Sequence, residues 1–239
     1  MNLLALDTST EFLSLALQLG DKIVTHHQHA GQAASQLVLP QIQALLDSAN
    51  IKLSDLDGIA FGAGPGAFTG VRVACGVAQG LGFGANLPVV GVNTLLALAE
   101  ASAQERVIAC LDARMGEIYH AAFVKENGKW LAQSATTVCK PEASPMLAPS
   151  ISSINTWVGV GSGWAVYGDI LSNIYAENLV KTLPNDLHYE VTPSAKAILQ
   201  LAAPIFAAGE AKPASEAMPI YIRNRVALTT IEREAGQRL

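Results

Sequence analysis

The sequence predicts an α/β protein made of two similar lobes. Short apolar runs bounded by turn residues predict strands, and apolar residues recurring every three or four positions predict helices between them. The elements follow the order strand, strand, strand, helix, strand, helix, and the second half of the chain partly repeats this order. We therefore expect an N-terminal lobe of residues 1–104 and a C-terminal lobe of residues 105–239 that contains the final helix and the tail.

The N-terminal half has the clearer periodic patterns. The Gly20-Asp21 pair predicts a turn between the second and third strands, and Ser35 is placed to cap the first helix. The second helix is rich in glycine and alanine. Strands are predicted at residues 3–6, 12–17, 22–27, 58–62 and 88–92, and helices at 35–49, 68–85 and 93–103.

The C-terminal half has fewer strong signals. Asn127-Gly128 predicts a hairpin, and the Pro-, Ser- and Ala-rich residues 140–153 predict a loop. Strands are predicted at residues 107–111, 117–124 and 157–161, helices at 165–174 and 194–208, and a weak pattern remains at 221–225. Two α/β lobes with a cleft between them are typical of actin-like ATPases and sugar kinases.

The composition excludes some classes of protein. Charged residues make up 15% of the chain, against about 25% in typical soluble domains, and the mean hydropathy is +0.30. These values exclude a disordered chain and indicate that part of the apolar surface contacts a partner. The net charge of −5 argues against a protein that binds nucleic acid unaided, because phosphate binding depends on Lys and Arg.

Cysteine usage and hydropathy predict the compartment. The three cysteines, Cys75, Cys110 and Cys139, lie far apart without a C-x-x-C motif, which argues against a zinc site or a disulfide framework. The apolar run at residues 3–6 is too short for a signal peptide, and no run approaches the roughly 20 apolar residues that span a bilayer. We expect a cytoplasmic protein without membrane contact.

Two motifs in the N-terminal half permit more than one interpretation. Asp7, Thr8 and Ser9 end the first strand, so in a kinase-like fold they face nucleotide phosphates, with the carboxylate near the metal. Alternatively, they form a turn that bonds its own backbone. The segment from Gly64 to Arg72 lets backbone N–H groups approach an anion or another chain closely. It lacks the Gly-Lys-Ser/Thr of a P-loop and the glycine spacing of a dinucleotide site, and its Arg72 could pair with a carboxylate.

Three further clusters of residues are candidates for helix packing, metal binding or ion pairing. Gly76, Gly80 and Gly84 recur every four residues in the second helix, where each costs about 1 kcal/mol relative to alanine. Close helix packing would compensate for this cost, either within the chain or against a second chain. His26, His27 and His29 lack a nearby carboxylate or cysteine, so a solvated strand end is favoured over a metal site. The turn containing Asp112, Arg114 and Glu117 predicts a local salt bridge.

These motifs together resemble the bacterial TsaB family, also called YeaZ. The resemblance rests on four segments in the family's order, and the second and third are the most specific. They are Asp7-Thr8-Ser9-Thr10, Gly64-Pro65-Gly66-Ala67-Phe68-Thr69-Gly70-Val71-Arg72, Asp112-Ala113-Arg114-Met115-Gly116-Glu117-Ile118-Tyr119 and Tyr221-Ile222-Arg223.

The resemblance implies a two-lobed ASKHA fold (actin-like ATPase, ribonuclease H-like). It also implies a noncatalytic subunit in the synthesis of threonylcarbamoyladenosine beside the anticodon of tRNAs that read codons beginning with A. The implied partners are a second copy of the chain, the catalytic subunit TsaD and the ATPase TsaE, with tRNA reached only through the complex. No cofactor or metal is implied for this chain.

The catalytic relative carries an H-x-x-x-H metal motif on the helix after the fifth strand. Here the corresponding positions are Thr94 and Leu98, and neither residue can replace a neutral imidazole ligand. The sequence therefore predicts that the metal chemistry is absent. The alternatives are an autonomous ASKHA-type ATPase or phosphotransferase, which needs carboxylates for a metal, and a metalloprotease, which lacks its metal-binding motif here.

Family resemblance places the partner contact on the first two helices. We expect the homodimer and the complex with TsaD to use this same surface. The first helix has more apolar area than one inward face needs, and glycines in the second let another helix approach closely. The residues expected at this interface are Leu39, Ile42, Leu45, Leu46, Gly76 and Gly80. The positions expected to line the cleft are Asp7, Thr8, Ser9, Gly64, Gly66, Thr69, Arg72, Asp112, Arg114 and Glu117.

Overall fold

A computed structural model describes residues 1–147, 156–180 and 190–223, and it confirms the α/β fold class. The first sheet contains β1 (Asn2–Asp7), β2 (Phe12–Leu19), β3 (Lys22–His29), β4 (Gly58–Gly64) and β5 (Val89–Asn93), in the order β3-β2-β1-β4-β5. The strand β2 runs antiparallel to its two neighbours β1 and β3, and β4 and β5 run parallel to β1. The five strands lie at the positions predicted from the sequence.

Helices cover both faces of the first sheet because successive side chains of its strands point to opposite sides. On one face, α1 (Ala34–Ser48) and α2 (Phe68–Ala85) pack on Leu4 and Leu6 of β1. On the other face, α5 (Ala195–Ala207) packs on Leu3 and Ala5. The predicted helices at 35–49 and 68–85 are confirmed, although Ala33 and not Ser35 is the N-cap of α1.

The second sheet forms the core of the other lobe. Its strands are β6 (Arg106–Arg114), β7 (Glu117–Glu126), β8 (Lys129–Ala132), β9 (Thr137–Cys139) and β10 (Val158–Val160), in the order β10-β6-β7-β8 with β9 also paired to β7. One face packs on α3 (Thr94–Ala101) and the other on α4 (Ser162–Ile174). The indole N–H of Trp164 in α4 donates to the carbonyl oxygen of Ile108, 3.0 Å away, and ties that helix to β6.

The expected lobe boundary needs a correction. The final helix was expected in the C-terminal lobe, but Ile198 and Leu199 of α5 are buried against the first sheet. The helix α3 lies between the lobes, with Ala97 in the core of the first and Leu98 in the core of the second. Residues after α5 also return to the first lobe, where Ala217 packs beside α2. Part of the predicted loop at 140–153 and the end of the weak pattern at 221–225 lie outside the described residues.

No helix in the described ranges combines the length and apolar character needed to cross a membrane.

The start of α2 is fixed against the turn that follows β1. The hydroxyl of Thr8 donates to the carbonyl oxygen of Gly70 at 2.6 Å, and the N–H of Ala67 donates to that of Ser9 at 2.7 Å. A Cβ at Gly70 would collide with the carbonyl oxygen of Thr8, and one at Gly66 would collide with that of Ser9. Because backbone atoms lie at both contacts, only glycine permits this approach.

We predict opposite effects for two glycine-to-alanine substitutions in α2. Gly70→Ala should lower the free energy of unfolding by about 1–3 kcal/mol or more, because its Cβ forces the backbone apart. Gly76→Ala should raise it by up to about 1 kcal/mol, because no heavy atom lies within 4 Å of the added Cβ. Denaturant titrations on dilute protein would measure both values, and equal destabilisation by the two substitutions would contradict the described contact.

Candidate functional site

A cleft of about 1260 Å³ lies between the two lobes. Its walls are the turn after β1, the start of α2, the turn between β6 and β7, and residues 191–193 and 220–223. Seven of the predicted motif residues line it: Thr8, Ser9, Gly66, Thr69, Arg72, Asp112 and Arg114. The structure therefore brings most of the motif residues into one cavity, although they come from distant parts of the sequence.

Asp7 does not line the cleft, which corrects the expectation that its carboxylate lies near a metal there. It is buried, and its Oδ2 accepts hydrogen bonds from the hydroxyl of Ser9 at 2.9 Å and the backbone N–H of Ser9 at 3.3 Å. Its Oδ1 packs against Gly62 and has no hydrogen-bond partner among the described residues. Burial raises the pKa of Asp7 from 3.8 to about 7, although the bonds from Ser9 oppose this shift. The turn thus bonds its own backbone, as the simpler interpretation proposed.

Gly64 also lies outside the cleft lining, and its contacts are structural. Its backbone has a φ of +105°, a conformation that favours glycine. Its N–H donates to the hydroxyl of Thr94, 3.1 Å away. On its other side, a Cβ would meet the carbonyl oxygen of Ile220 at 3.0 Å. Gly64 therefore joins the end of β4 to α3 and to the C-terminal segment.

The two positions that correspond to the H-x-x-x-H ligands are used for packing. Thr94 is buried and hydrogen-bonded to Gly64. Leu98 is buried against Gly161, because a Cβ atom added at Gly161 would collide with a methyl group of Leu98. Neither side chain offers an imidazole, thiolate or carboxylate. In the parts of the chain that the structure describes, no group of three or more His, Cys, Asp and Glu side chains is arranged to hold a metal ion.

The turn between β6 and β7 carries ion pairs that connect the lobes. Arg114 pairs with Asp112 at 3.0 Å, as the local salt bridge predicts, and also with Glu11 of the first lobe at 3.4 Å. Glu117 lies outside the cleft lining and pairs with Arg223, which also donates to the carbonyl oxygen of Ala113. The local prediction therefore holds for Arg114 and Asp112 and is wrong for Glu117. The spacing of residues in the sequence does not predict that Glu11 pairs with Arg114 or that Arg223 pairs with Glu117.

Arg72 stands at the mouth of the cleft, between two aromatic rings. Its guanidinium carbon lies 3.3 Å from the centroid of Phe68 and 5.3 Å from that of Tyr221. Its Nε–H donates to the Tyr221 hydroxyl at 2.8 Å. Phe68 is 50% exposed and Tyr221 is 51% exposed, so both rings also face solvent. Phe68 lies four residues before Arg72 in the predicted helix, a spacing that makes the two side chains neighbours, whereas Tyr221 comes from the C-terminal segment and its contact with Arg72 has no local signal in the sequence.

The outer face of α1 and α2 adjoins this end of the cleft. Leu39 and Phe83 are exposed large apolar side chains, and Cβ atoms at Gly76 and Gly80 would meet no heavy atom within 4 Å. The glycine stripe therefore does not pack against the described part of its own chain. Three expected interface residues need a correction. Ile42, Leu45 and Leu46 are buried against the first sheet, so their apolar area belongs to the chain's own core.

The histidines of β3 lie on opposite faces of the strand. His27 and His29 share one face with Phe12, and the His27 ring stacks on the Phe12 ring with centroids 4.8 Å apart. His26 points to the other side. Partial burial lowers the pKa of His27, with a smaller contribution from His26. The alternation separates His26 from the other two and explains why the run of three does not converge on one point.

Comparisons with known proteins place this geometry in a family. A family model described as "TsaD: tRNA N6-adenosine threonylcarbamoyltransferase" matches residues 23–230. The chain is 36% identical to the tRNA threonylcarbamoyladenosine biosynthesis protein TsaB of Escherichia coli, over 95% of this chain and 96% of that protein. It is 35% identical to the Haemophilus influenzae protein of the same name, over 95% of both.

Solved structures agree with this similarity. A structure titled as YeaZ from Pseudomonas aeruginosa is 37% identical, with a TM-score of 0.77 over 92% of this chain and 99% of that one. A second Pseudomonas aeruginosa structure, titled as an uncharacterized protein with similarity to peptidase YEAZ, has a TM-score of 0.81 and 36% identity, over 93% of this chain and 99% of that one.

The buried carboxyl group of Asp7 predicts a pH-dependent stability. Between about pH 4 and pH 7 the folded chain holds a proton on Asp7 that the unfolded chain has released, so the free energy of unfolding falls as pH rises through this range. Asp7→Asn removes this contribution and should be the more stable protein at pH 8, by on the order of a few kcal/mol.

Urea titrations of both proteins from pH 5 to pH 8 would measure the difference. Asp21→Asn, in the exposed turn between β2 and β3, is the matched control and should follow the unsubstituted protein. A lower stability of Asp7→Asn at pH 8 would show that the ionised carboxylate contributes favourably to the fold.

Proposed function

The chain belongs to the TsaB family of tRNA threonylcarbamoyladenosine biosynthesis proteins, and from this premise we propose that it is a noncatalytic subunit of the threonylcarbamoyl transfer complex. In this role it docks on the catalytic subunit TsaD, and the ATPase TsaE joins them. The complex modifies the adenosine beside the anticodon in tRNAs that read codons beginning with A. The tRNA is contacted through the complex, which is consistent with the net charge of −5 on this chain.

The observation that carries the noncatalytic role is the use of potential ligand positions for packing. Thr94 and Leu98 are buried core residues, and Asp7 is buried below the cleft with a raised pKa. A metal ligand must be deprotonated, so a buried carboxyl group whose pKa is raised to about 7 is a weaker ligand for a divalent cation near neutral pH than an ordinary carboxylate. The chain therefore supplies binding surfaces to the complex, and its partner supplies the chemistry.

The same observation disfavours an autonomous ATPase or phosphotransferase. Phosphoryl transfer needs carboxylates that hold a metal at the phosphates. Of the three acidic residues expected in the cleft, Asp7 and Glu117 lie outside its lining, and Asp112 pairs with Arg114. The cleft is large enough for a small molecule, but the carboxylates for metal-assisted catalysis are buried or already paired.

The partner surface is proposed on the outer face of α1 and α2. The two helices carry one charged residue each, Asp47 and Arg72. An exposed face with so little charge favours a protein partner over solvent. Gly76 and Gly80 allow a partner helix to approach closer than the usual 8–10 Å or so. The same face forms the homodimer when the catalytic partner is absent.

The three described cysteines support a reducing compartment. Cys75, Cys110 and Cys139 are all free thiols, and burial raises the pKa of each, which disfavours the reactive thiolate. A protein that acts on tRNA in the cytoplasm fits this chemistry.

Reconstitution of tRNA modification tests the proposed role. The purified chain should hydrolyse no ATP above background and should form no threonylcarbamoyladenosine alone. With TsaD, TsaE, threonylcarbamoyl-adenylate and tRNA, it should restore modification that is absent when it is omitted. Magnesium-dependent ATP hydrolysis by the isolated chain would instead support the alternative function, in which this chain is itself an autonomous ATPase.

Gly80→Leu tests the proposed surface. Gly80 is exposed, and the Cβ of a new side chain would meet no heavy atom within 4 Å, so the thermal unfolding transition should be retained. It should push a partner helix away and cost association about 1–3 kcal/mol, which is about a tenfold to hundredfold loss of affinity.

Sedimentation analysis of the homodimer and calorimetric titration with TsaD would measure both contacts. Ala132→Leu, at an exposed position of β8, is the control for an added surface leucine. Loss of the homodimer with unchanged TsaD affinity would mean that the two contacts use separate surfaces.

A further inference from the structure

Arg72 is contacted by aromatic side chains and has no carboxylate partner among the described residues. Stacking on Phe68 and the hydrogen bond to the Tyr221 hydroxyl immobilise its guanidinium. Of its five N–H donors only Nε–H is used, so the four donors of the terminal nitrogens have no acceptor among the described residues. These four donors form the planar fork that binds a carboxylate through two parallel hydrogen bonds.

The other arginines of the cleft are paired. Arg114 contacts Asp112 and Glu11, and Arg223 contacts Glu117. Arg72 therefore differs from these two arginines, because aromatic side chains order it while no acidic side chain in the described part of the chain pairs with it. Ordering an arginine costs side-chain entropy. Here the side chain of Arg72 is already ordered before a partner binds, so less side-chain entropy is lost when it binds an anion.

The position of Arg72 connects it to the proposed partner surface. It precedes Gly76 by four residues and Gly80 by eight, so the three lie along one side of α2. A helix docked along the glycine stripe passes close to the guanidinium. The aromatic rings of Phe68 and Tyr221 extend the apolar surface at this end of the helix.

We infer that Arg72 is a recognition residue for a carboxylate of the protein partner docked on α2. This inference rests on the proposed function, which places that partner on the glycine stripe. An Asp or Glu side chain of the partner would complete the fork, with Phe68 and Tyr221 holding the guanidinium toward it. Arg72 then fixes the position of the partner helix along α2, where the uncharged remainder of the face gives little directional information.

Charge around the site favours a single carboxylate over a polyanion. Glu11 and Asp112 lie in the same cleft lining as Arg72, and the whole chain has a net charge of −5. Because Arg114 and Arg223 are already paired with acidic side chains, a nucleic acid or a triphosphate would bring several negative charges to a lining in which, among the described residues, Arg72 alone is an unpaired cation. One carboxylate on a desolvated partner surface matches one guanidinium.

Titration of TsaD with Arg72 variants in the absence of nucleotide tests the inference. Arg72→Ala should weaken binding about tenfold to a hundredfold. Arg72→Lys should be intermediate because it keeps the charge but loses the fork. Raising the salt concentration should weaken binding of the unsubstituted protein more than binding of Arg72→Ala. Lys129→Ala, an exposed cation on β8, is the control and should bind normally.

A charge-reversal experiment identifies the carboxylate of the partner that binds Arg72. Arg72→Glu should bind TsaD more weakly than Arg72→Ala, and one Asp→Lys or Glu→Lys substitution on the partner surface should restore its affinity. Unchanged binding by Arg72→Ala, or the lack of any restoring substitution, would overturn the inference. A loss seen only when ATP or ADP is present would assign the anion to a nucleotide phosphate and overturn it as well.

The experiments distinguish a failure of the proposed role of Arg72 from a failure of the proposed partner surface. If Gly80→Leu abolishes binding and Arg72→Ala does not weaken it, the surface is correct and the role of Arg72 is wrong. If Gly80→Leu binds normally, the docking face itself is wrong. Thermal unfolding of each variant shows whether the chain remains folded, and Tyr221→Phe, which removes only the hydroxyl acceptor, should give a smaller loss than Arg72→Ala.

Discussion

The geometry of the candidate site depends on how closely the first turn of α2 approaches the turn after β1. Gly66 and Gly70 bring backbone against backbone, and the hydrogen bonds of Thr8 and Ser9 hold this contact. This contact sets where α2 begins, and therefore where Arg72 stands at the cleft and which side of the helix presents its glycines. One steric constraint thus positions both the wall of the cleft and the proposed docking face.

The same close packing involves the three candidate ligand positions, which are Asp7, Thr94 and Leu98. Asp7 lies beneath its turn, bonded to Ser9 and packed against Gly62, so its carboxyl group belongs to the interior. Thr94 bonds Gly64, and Leu98 packs on Gly161. A cleft remains, and the charged side chains that line it are paired, with the exception of Arg72 among the described residues; Glu11 and Arg114, for example, pair between the lobes.

The sequence allowed prediction of the features that have a local signal. Period-two and period-four patterns predict the first sheet, α1 and α2, because the side chains that produce them are neighbours along the chain. The return of α5 to the first lobe, the pairing of Arg223 with Glu117 and the three-residue strand β9 have no such signal. Ile42, Leu45 and Leu46 are predicted at the partner interface, but they are buried against the first sheet. Periodicity does not show how much of the helix surface the sheet covers. The glycine stripe was correctly noted, but only the structure shows that the described chain leaves it open.

The C-terminal segment explains how the cleft and the helix face are physically connected. The N–H of Ile220 donates to the carbonyl oxygen of Ala63 at 2.7 Å, one residue before Tyr221 contacts Arg72. Two residues beyond Tyr221, Arg223 pairs with Glu117 in the other lobe. Four consecutive residues thus contact the end of β4, the start of α2 and the turn between β6 and β7. A relative movement of the lobes must therefore strain or break a contact next to Arg72. In a chain with so little charge, this segment places an ordered cation where the cleft meets the apolar helix face.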